Sequence, residues 1–202
     1  AGTGIFSRQI RPYVEKVTAV EPSASMRASL QAETPGVDVL AGSDVSIPLD
    51  DGEVDAVFVA QAFHWFDVPR ALEEIHRVLT PGGGLGLIWN ERDETVAWVD
   101  ELSRAMRWDV RQPYKVGTDF SDVVAAGPFH DVERVEFKHS QTLTRDGLYR
   151  RVLTTSYVSV MEGQEREALM KDVALVVEHQ PEPIVLPYVT SVYTARATMP
   201  NA

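Results

Sequence analysis

Two glycines and one carboxylate near the start of the chain have the types and spacing that can cradle a nucleotide. Ala1-Gly2-Thr3-Gly4 is a turn of small residues, and Glu21 follows seventeen residues after Gly4, closing the run Lys16-Val-Thr-Ala-Val20. Without a Cβ in the way, the backbone of such a turn can approach a ligand closely, and the helix that starts next offers unpaired N–H groups. A carboxylate about 20 residues past the glycines, at the carboxyl end of a strand, accepts hydrogen bonds from both hydroxyls of a ribose. An ordinary loop followed by a surface acid is the competing explanation. Placement weighs against that explanation, because open α/β sheets bind ligands at the carboxyl ends of their parallel strands.

The elements that would position these residues alternate. A helix is expected over 5–14, a strand over 16–20, a helix over 23–33 and a strand over 37–40. Val54 to Ala60 is the clearest strand, set off by Asp50-Asp51-Gly52. A helix follows, with Asp67 as its cap, Pro69 in its first turn and Leu72, Ile75 and Leu79 on one face, until Pro81-Gly82-Gly83-Gly84 stops it. Leu85 to Trp89 reads as another buried strand and 94–109 as a helix. Such alternation to about residue 112 predicts crossover units on a parallel sheet. Beyond it, Gln112-Pro113 and Gly127-Pro128 break the rhythm. Residues 132–139 read as a strand with Val135 and Phe137 on its dry face, 145–154 and 164–179 as helices, and 184–196 as a last strand that Pro187 assigns to an edge or a bulge.

Composition narrows the class. The 202 residues are 44% hydrophobic and carry a net charge of −11, so one globular domain is expected, with residues 1–112 as a cofactor half and 113–202 as an acceptor half. Nucleic acid is an unsuitable partner for so acidic a chain. Cysteine is absent, which removes disulfides, thiolate metal sites and cysteine nucleophiles together, and the histidines are too scattered for a metal site. No apolar run reaches the roughly 18 residues that span a bilayer; no membrane association and a cytoplasmic location are expected.

Five segments in order carry a resemblance: Ala1 to Gly4, Val20-Glu-Pro-Ser-Ala-Ser-Met26, Gly42-Ser-Asp-Val-Ser-Ile-Pro-Leu-Asp-Asp-Gly to Val57, Ala60-Gln-Ala-Phe-His-Trp-Phe66 and Leu79-Thr-Pro-Gly-Gly-Gly-Leu85. Together they resemble class I S-adenosylmethionine-dependent methyltransferases, in the type 11 small-molecule branch that includes trans-aconitate methyltransferase-like proteins. Thr155 to Val160 and Leu186 to Tyr193 also look like that branch. The resemblance implies a Rossmann-like, doubly wound α/β fold whose mostly parallel sheet ends in an antiparallel strand. It also implies that the first central strand is absent from the chain, which would leave the strands at 16–20 and 54–60 without the partner between them and the folding unit incomplete.

By the same resemblance, Gly2 and Gly4 face the methionine end and ribose of S-adenosylmethionine, and Glu21 holds the ribose hydroxyls. Met26 packs against adenine, unless it is plain core; Ser43 and Asp44 meet the adenine amino edge; Ala60 and Gln61 lie beside the sulfonium. Methyl transfer from a sulfonium is an in-line displacement on an activated donor, so holding the reactants in line does most of the work. A carboxylate acceptor needs no base. A hydroxyl, amine or carbon acceptor must lose a proton, and His64 is the candidate to take it, its alternative being a structural hydrogen bond at a strand end. Trp65, Trp89, Trp108, Tyr114 and Tyr157 are candidates for an acceptor wall, with Asn90, Arg92 or Arg111 as polar anchors. Each aromatic has core packing as its alternative, and Arg92 has pairing with Asp93 or Glu94.

O-, C- and N-methylation stay open, and so does oligomeric state. Two other classes remain: a non-catalytic fragment or degenerate copy acting as a binding module, and an NAD(P)-dependent oxidoreductase. Against the last, no Tyr has Lys four positions on.

Overall fold

The computed structural model describes residues 1–107 and 119–199, so Trp108, Arg111 and Tyr114 lie outside the described residues. Among these, the elements run α1 Ile5–Ile10, β1 Thr18–Val20, α2 Ala24–Glu33, β2 Asp38–Leu40, β3 Val54–Ala60, α3 Val68–Val78, β4 Leu79–Arg92, α4 Ala97–Ala105, α5 Ser121–Ala125, β5 Phe129–Leu143, α6 Arg145–Leu153, α7 Ser156–Ser159, α8 Gly163–Val177 and β6 Ile184–Ala197. Short 3₁₀ turns at Arg11–Tyr13 and Phe63–Trp65 complete them.

The fold is α/β and Rossmann-like, with mixed strand pairing. β1 and β2 pair in parallel as a two-stranded sheet, and β3, β4, β6 and β5 form a second sheet in that order. β1 and β3 stand in different sheets. β3 pairs β4 in parallel from Ala56↔Gly84 to Ala60↔Ile88. β6 runs against β4: Arg196 reaches Gly82, Tyr193 packs on Trp89, and Thr190 bonds Asn90, in opposite order along the two strands.

The chain divides into two compact units, and β4, β5 and β6 contribute residues to both. The first comprises Ala1–Trp89, Asp119–Val135 and the described residues from Val192 on. Its core collects Leu72, Ile75 and Val78 of α3, Leu85, Leu87 and Trp89 of β4, Phe63, Phe120, Val124 and Tyr193, all buried. The second comprises residues 90–107 and Glu136–Ser191. There α4 packs on α8, and Val99, Leu102, Met106, Leu148, Leu169, Val173 and Ile184 form a continuous apolar cluster.

Several expectations are corrected. The Pro81–Gly84 stretch does not separate helix from strand: α3 ends at Val78 and β4 begins at once, Leu79 pairing Val54, with a register shift before Ala56↔Gly84 that absorbs the glycines. Asp67 stands at the N-cap position of α3 without a side-chain cap bond. α4 starts three residues late because the Asp93 carboxylate accepts from the Thr95 amide and hydroxyl, holding a turn there. Pro187 does not mark an edge, since β6 lies between β4 and β5; its carbonyl accepts from the Asp93 amide at 3.0 Å. β5 is the outer strand instead, and the Val135 and Phe137 side chains expected on a dry face are exposed.

α3 is the best-justified helix of the first unit. Pro69 suits its first turn, and Leu72, Ile75 and Val78 recur at three-residue spacing on one buried face. Replacing Ile75, 1% exposed, with Ala removes three buried carbons and leaves a void. A loss of about 2–5 kcal/mol of unfolding free energy is expected by urea titration; a loss below about 1 kcal/mol would mean that α3 does not anchor this core.

Candidate functional site

Glu21, just past the end of β1, is 6% exposed. Its Oε2 accepts from the Ala1 amino group at 2.9 Å and from the Gly2 amide at 2.8 Å, and its Oε1 accepts from the Ser23 amide at 2.9 Å. Burial pushes its pKa up, but the hydrogen bonds from the Ala1 amino group, Ser23 and Gly2 outweigh it, so the carboxyl lies below its ordinary value. It is an anion at neutral pH. A carboxylate offers about four lone-pair directions; the protein donors take three, and a hydroxyl donor has a place on Oε1.

Both glycines of the turn have positive φ, +61° at Gly2 and +82° at Gly4. A Cβ on Gly4 would fall 2.8 Å from Thr34 Oγ1 and 2.9 Å from Leu30, whereas one on Gly2 would meet nothing within 4 Å. Gly4 is therefore glycine for packing as well as for conformation. Gly2 faces open space beside the carboxylate. Arg8 braces the turn by donating to the Thr3 carbonyl and the Thr34 hydroxyl. Ser23 caps α2, its hydroxyl accepting from the Met26 amide, and Met26 is 45% exposed on the first turn, so it is not core.

The next two segments are tied together. Ser43 and Ser46 form an isolated bridge, and Asp44 Oδ2 accepts from the Asp67 amide at 3.0 Å. Arg77, at the end of α3, donates to Glu74, to Asp51 and to the carbonyls of Ile47 and Leu49, and so pins the loop that follows Ser46. Ala60 ends β3 opposite Ile88, and Gln61 turns the chain out of the strand with φ +54° while its amide donates to the Ile88 carbonyl. A left-handed backbone at a non-glycine residue costs about 1–3 kcal/mol and is a feature of functional turns.

That turn delivers Phe63, His64 and Trp65. Phe63 is buried in the core and Trp65 is 68% exposed. The His64 and Trp65 ring centroids lie 5.0 Å apart, and His64 Nδ1 accepts from the Trp89 indole N–H at 3.4 Å. Burial lowers the His64 pKa. Trp89 is 2% exposed and stacks on Phe120 at 4.3 Å and 5°. In the second unit, Arg92 Nε donates to Ser103 Oγ and the Tyr157 hydroxyl to the Met106 carbonyl at 2.7 Å; burial lowers the Arg92 pKa.

Gly2, Glu21, Ser23 and Met26 are thus brought together, as are Ala60, Gln61, His64 and Trp65. Phe120 was missed by sequence reasoning, because it stands in a stretch with no periodicity. Asp67 was assigned only a helix-capping role, although its amide joins the Asp44 loop to the His64 turn.

Comparison with known proteins settles the family. A methyltransferase domain family matches residues 1–87. An uncharacterized methyltransferase of Mycobacterium tuberculosis is 38% identical over 205 residues, covering 98% of this chain and 81% of that protein. The chain belongs to the class I S-adenosylmethionine-dependent methyltransferases. A methyltransferase-like protein of Schizosaccharomyces pombe is 36% identical over 83% of this chain and 66% of its own length. The malonyl-[acyl-carrier protein] O-methyltransferase of Pectobacterium atrosepticum is 40% identical over 83 residues, 41% of this chain and 33% of that protein. In fold, this methyltransferase is similar to the YcgJ protein of Bacillus subtilis, with a TM-score of 0.63 and 18% identity over 99% of this chain and 90% of the other. Among the described residues no helix is long and apolar enough to cross a membrane.

The depressed Glu21 pKa has a stability consequence. A carboxyl whose folded pKa is lowered contributes stability above its unfolded pKa and loses it as pH falls through the folded value. Urea midpoints measured from pH 7 to pH 3 are expected to fall below about pH 4.5, near the ordinary Glu value, and Glu21→Gln is expected to flatten part of that decline. An identical acid limb in both proteins would mean that the three bonds contribute nothing net.

Proposed function

We propose that this methyltransferase binds S-adenosylmethionine through the Gly2–Gly4 turn and Glu21 and methylates a carboxylate oxygen of a small molecule. The observation that carries the reading is the buried Glu21 carboxylate, which accepts from the Gly2 amide beside open space and is an acceptor suited to a ribose hydroxyl. Gly2 and Gly4 would admit the ribose and methionine end, with Glu21 accepting from the hydroxyls. Met26, exposed at the start of α2, would cover adenine; Ser43 and Asp44 would meet its amino edge. Ala60 and Gln61 would border the sulfonium. When bound, the cofactor supplies an activated methyl group.

What remains for the chain is to orient the acceptor and keep water out. His64 bears on which acceptor this is. Its Nδ1 already accepts from Trp89, so in the neutral ring the proton sits on Nε2, which can donate but not abstract. An acceptor that must lose a proton lacks its base there. A carboxylate lacks nothing, being ionised in solution at neutral pH. The named O-methyltransferase relative acts on a malonyl group, which presents a free carboxylate. Trp65, exposed beside His64, is a wall for the body of such an acid.

Glu21→Ala removes a charged acceptor and is expected to weaken S-adenosylhomocysteine binding by about 1.5–3 kcal/mol, roughly 10- to 150-fold, in titration calorimetry. Unchanged affinity would take Glu21 out of the cofactor site.

A further inference from the structure

β5 is the last strand of its sheet, with β6 on its inner side. It runs unbroken from Phe129 to Leu143, and every residue from Glu133 to Thr142 is exposed, so neither face of this stretch is covered among the described residues. An edge of such length presents a row of backbone N–H and C=O groups with which another strand can pair. Its side chains are not those of a purely solvated strand: Val135 and Phe137 are 48% and 56% exposed. Glu136 and Lys138 flank Phe137 with opposite charges, and the Lys138 side chain is 75% exposed, 3.7 Å from Asp93. Two features bound the stretch that can pair. Asp131 has φ +52°, which bends the strand, and Thr144 caps α6 by accepting from the Gly147 amide. Between them lie Val132 to Leu143, whose middle falls at Phe137 and Lys138.

A second copy of this chain would meet that edge about a two-fold axis, which makes the two strands antiparallel and sets opposed side chains on one face of the sheet. The axis then passes through a residue opposed to itself. Centred on Glu136, the pairing sets Glu136 against Glu136 and Arg134 against Lys138; centred on Lys138, it sets two lysines against each other. Centred on Phe137, it opposes the two phenylalanine rings, places Glu136 against Lys138 on both sides of them, and sets Val135 against His139 and Val132 against Thr142. Like charges directly opposed destabilise a strand pair, whereas opposite charges and aromatic pairs stabilise it. Of these three central registers, the one at Phe137 alone opposes no like charges. We propose that β5 is a self-association edge, through which two copies of this chain pair antiparallel about Phe137. The charges on either side of Phe137 select the register, and the exposed Val135 and Phe137 side chains supply the apolar contact. The proposal is independent of the cofactor and acceptor readings above.

The test uses the whole chain. Sedimentation equilibrium of the wild type from about 1 to 300 μM is expected to show a monomer–dimer equilibrium; a monomer at every concentration, which would leave β5 to a different partner, overturns the proposal. Lys138→Glu sets Glu against Glu136 on both sides of the axis and is expected to weaken association at least about tenfold. Glu136→Lys combined with Lys138→Glu exchanges the two charges within the same register and is expected to recover the wild-type constant to within about threefold. Association indifferent to Lys138→Glu, or a double variant no tighter than that single one, overturns the proposal. The chain has no cysteine, so one introduced cysteine reports the register directly. Opposed Cβ atoms lie about 4.5–5.5 Å apart, close to disulfide reach. Phe137→Cys is expected to give a covalent dimer under mild oxidation, whereas Gln141→Cys, whose opposed residue is Glu133, is expected not to. Equal cross-linking of both, or of neither, overturns the proposal. Should Lys138→Glu fail to fold, the double variant and the cross-link still decide it.

Discussion

The carboxylate of Glu21 is the constraint on which the start of this chain turns. A buried anion is costly unless its lone pairs are met, and here they are met by backbone donors from two directions, the turn at Gly2 and the start of α2 at Ser23. One side chain therefore fixes the end of β1, the glycine turn and the cap of α2 relative to each other. Positive φ at Gly2 and Gly4 is what lets the turn fold back far enough to reach it. Gly2, whose amide Glu21 holds, faces open space, so the group that organises the turn is also the one proposed to meet the ribose.

A second fixed point lies at the end of β3. Gln61 takes a left-handed backbone and keeps its amide on Ile88, so the chain leaves the sheet abruptly and presents Phe63 inward and Trp65 outward. His64 stands between them with one nitrogen committed to Trp89. The Asp44 carboxylate holds the far end of that turn through the Asp67 amide, which links the segment proposed to meet adenine with the one proposed to meet the acceptor. Each interaction is modest alone, of the order of 1 kcal/mol for a typical hydrogen bond. Their joint effect is to leave the exposed residues between them few alternative positions.

Legibility in the sequence followed the strength of local signals. β3 was placed at both ends, Val54 and Ala60, because Asp50-Asp51-Gly52 punctuates a β-branched run. α3 was read from an apolar stripe, a local pattern. β4 was misjudged because Pro81 to Gly84 has the composition of a stop, while the pairing of Leu79 with Val54 and a register shift override it. Pro187 misled for a similar reason: its missing N–H suggests an edge, yet β6 lies between β4 and β5. The pairing of Gly2 with Glu21 was legible through spacing. That of Trp89 with His64 was not, since it depends on tertiary packing against Phe120 and Tyr193, residues far along the chain that no periodicity connects. Trp89 therefore looked like a pocket wall and is instead a buried ring whose N–H donates to His64.

The central claim is that an acid accepts the methyl group at oxygen, and the bond formed is diagnostic. With S-adenosylmethionine tritiated in its methyl group and a panel of small carboxylic acids, alcohols and amines, a methyl ester releases its label as volatile methanol on mild alkaline hydrolysis, whereas ethers, N-methyl and C-methyl products keep it. The account predicts transfer to one or more of the acids, with the label recovered as base-released methanol. Label that stays in a non-volatile product after alkali, or transfer confined to the alcohols or amines, would contradict it.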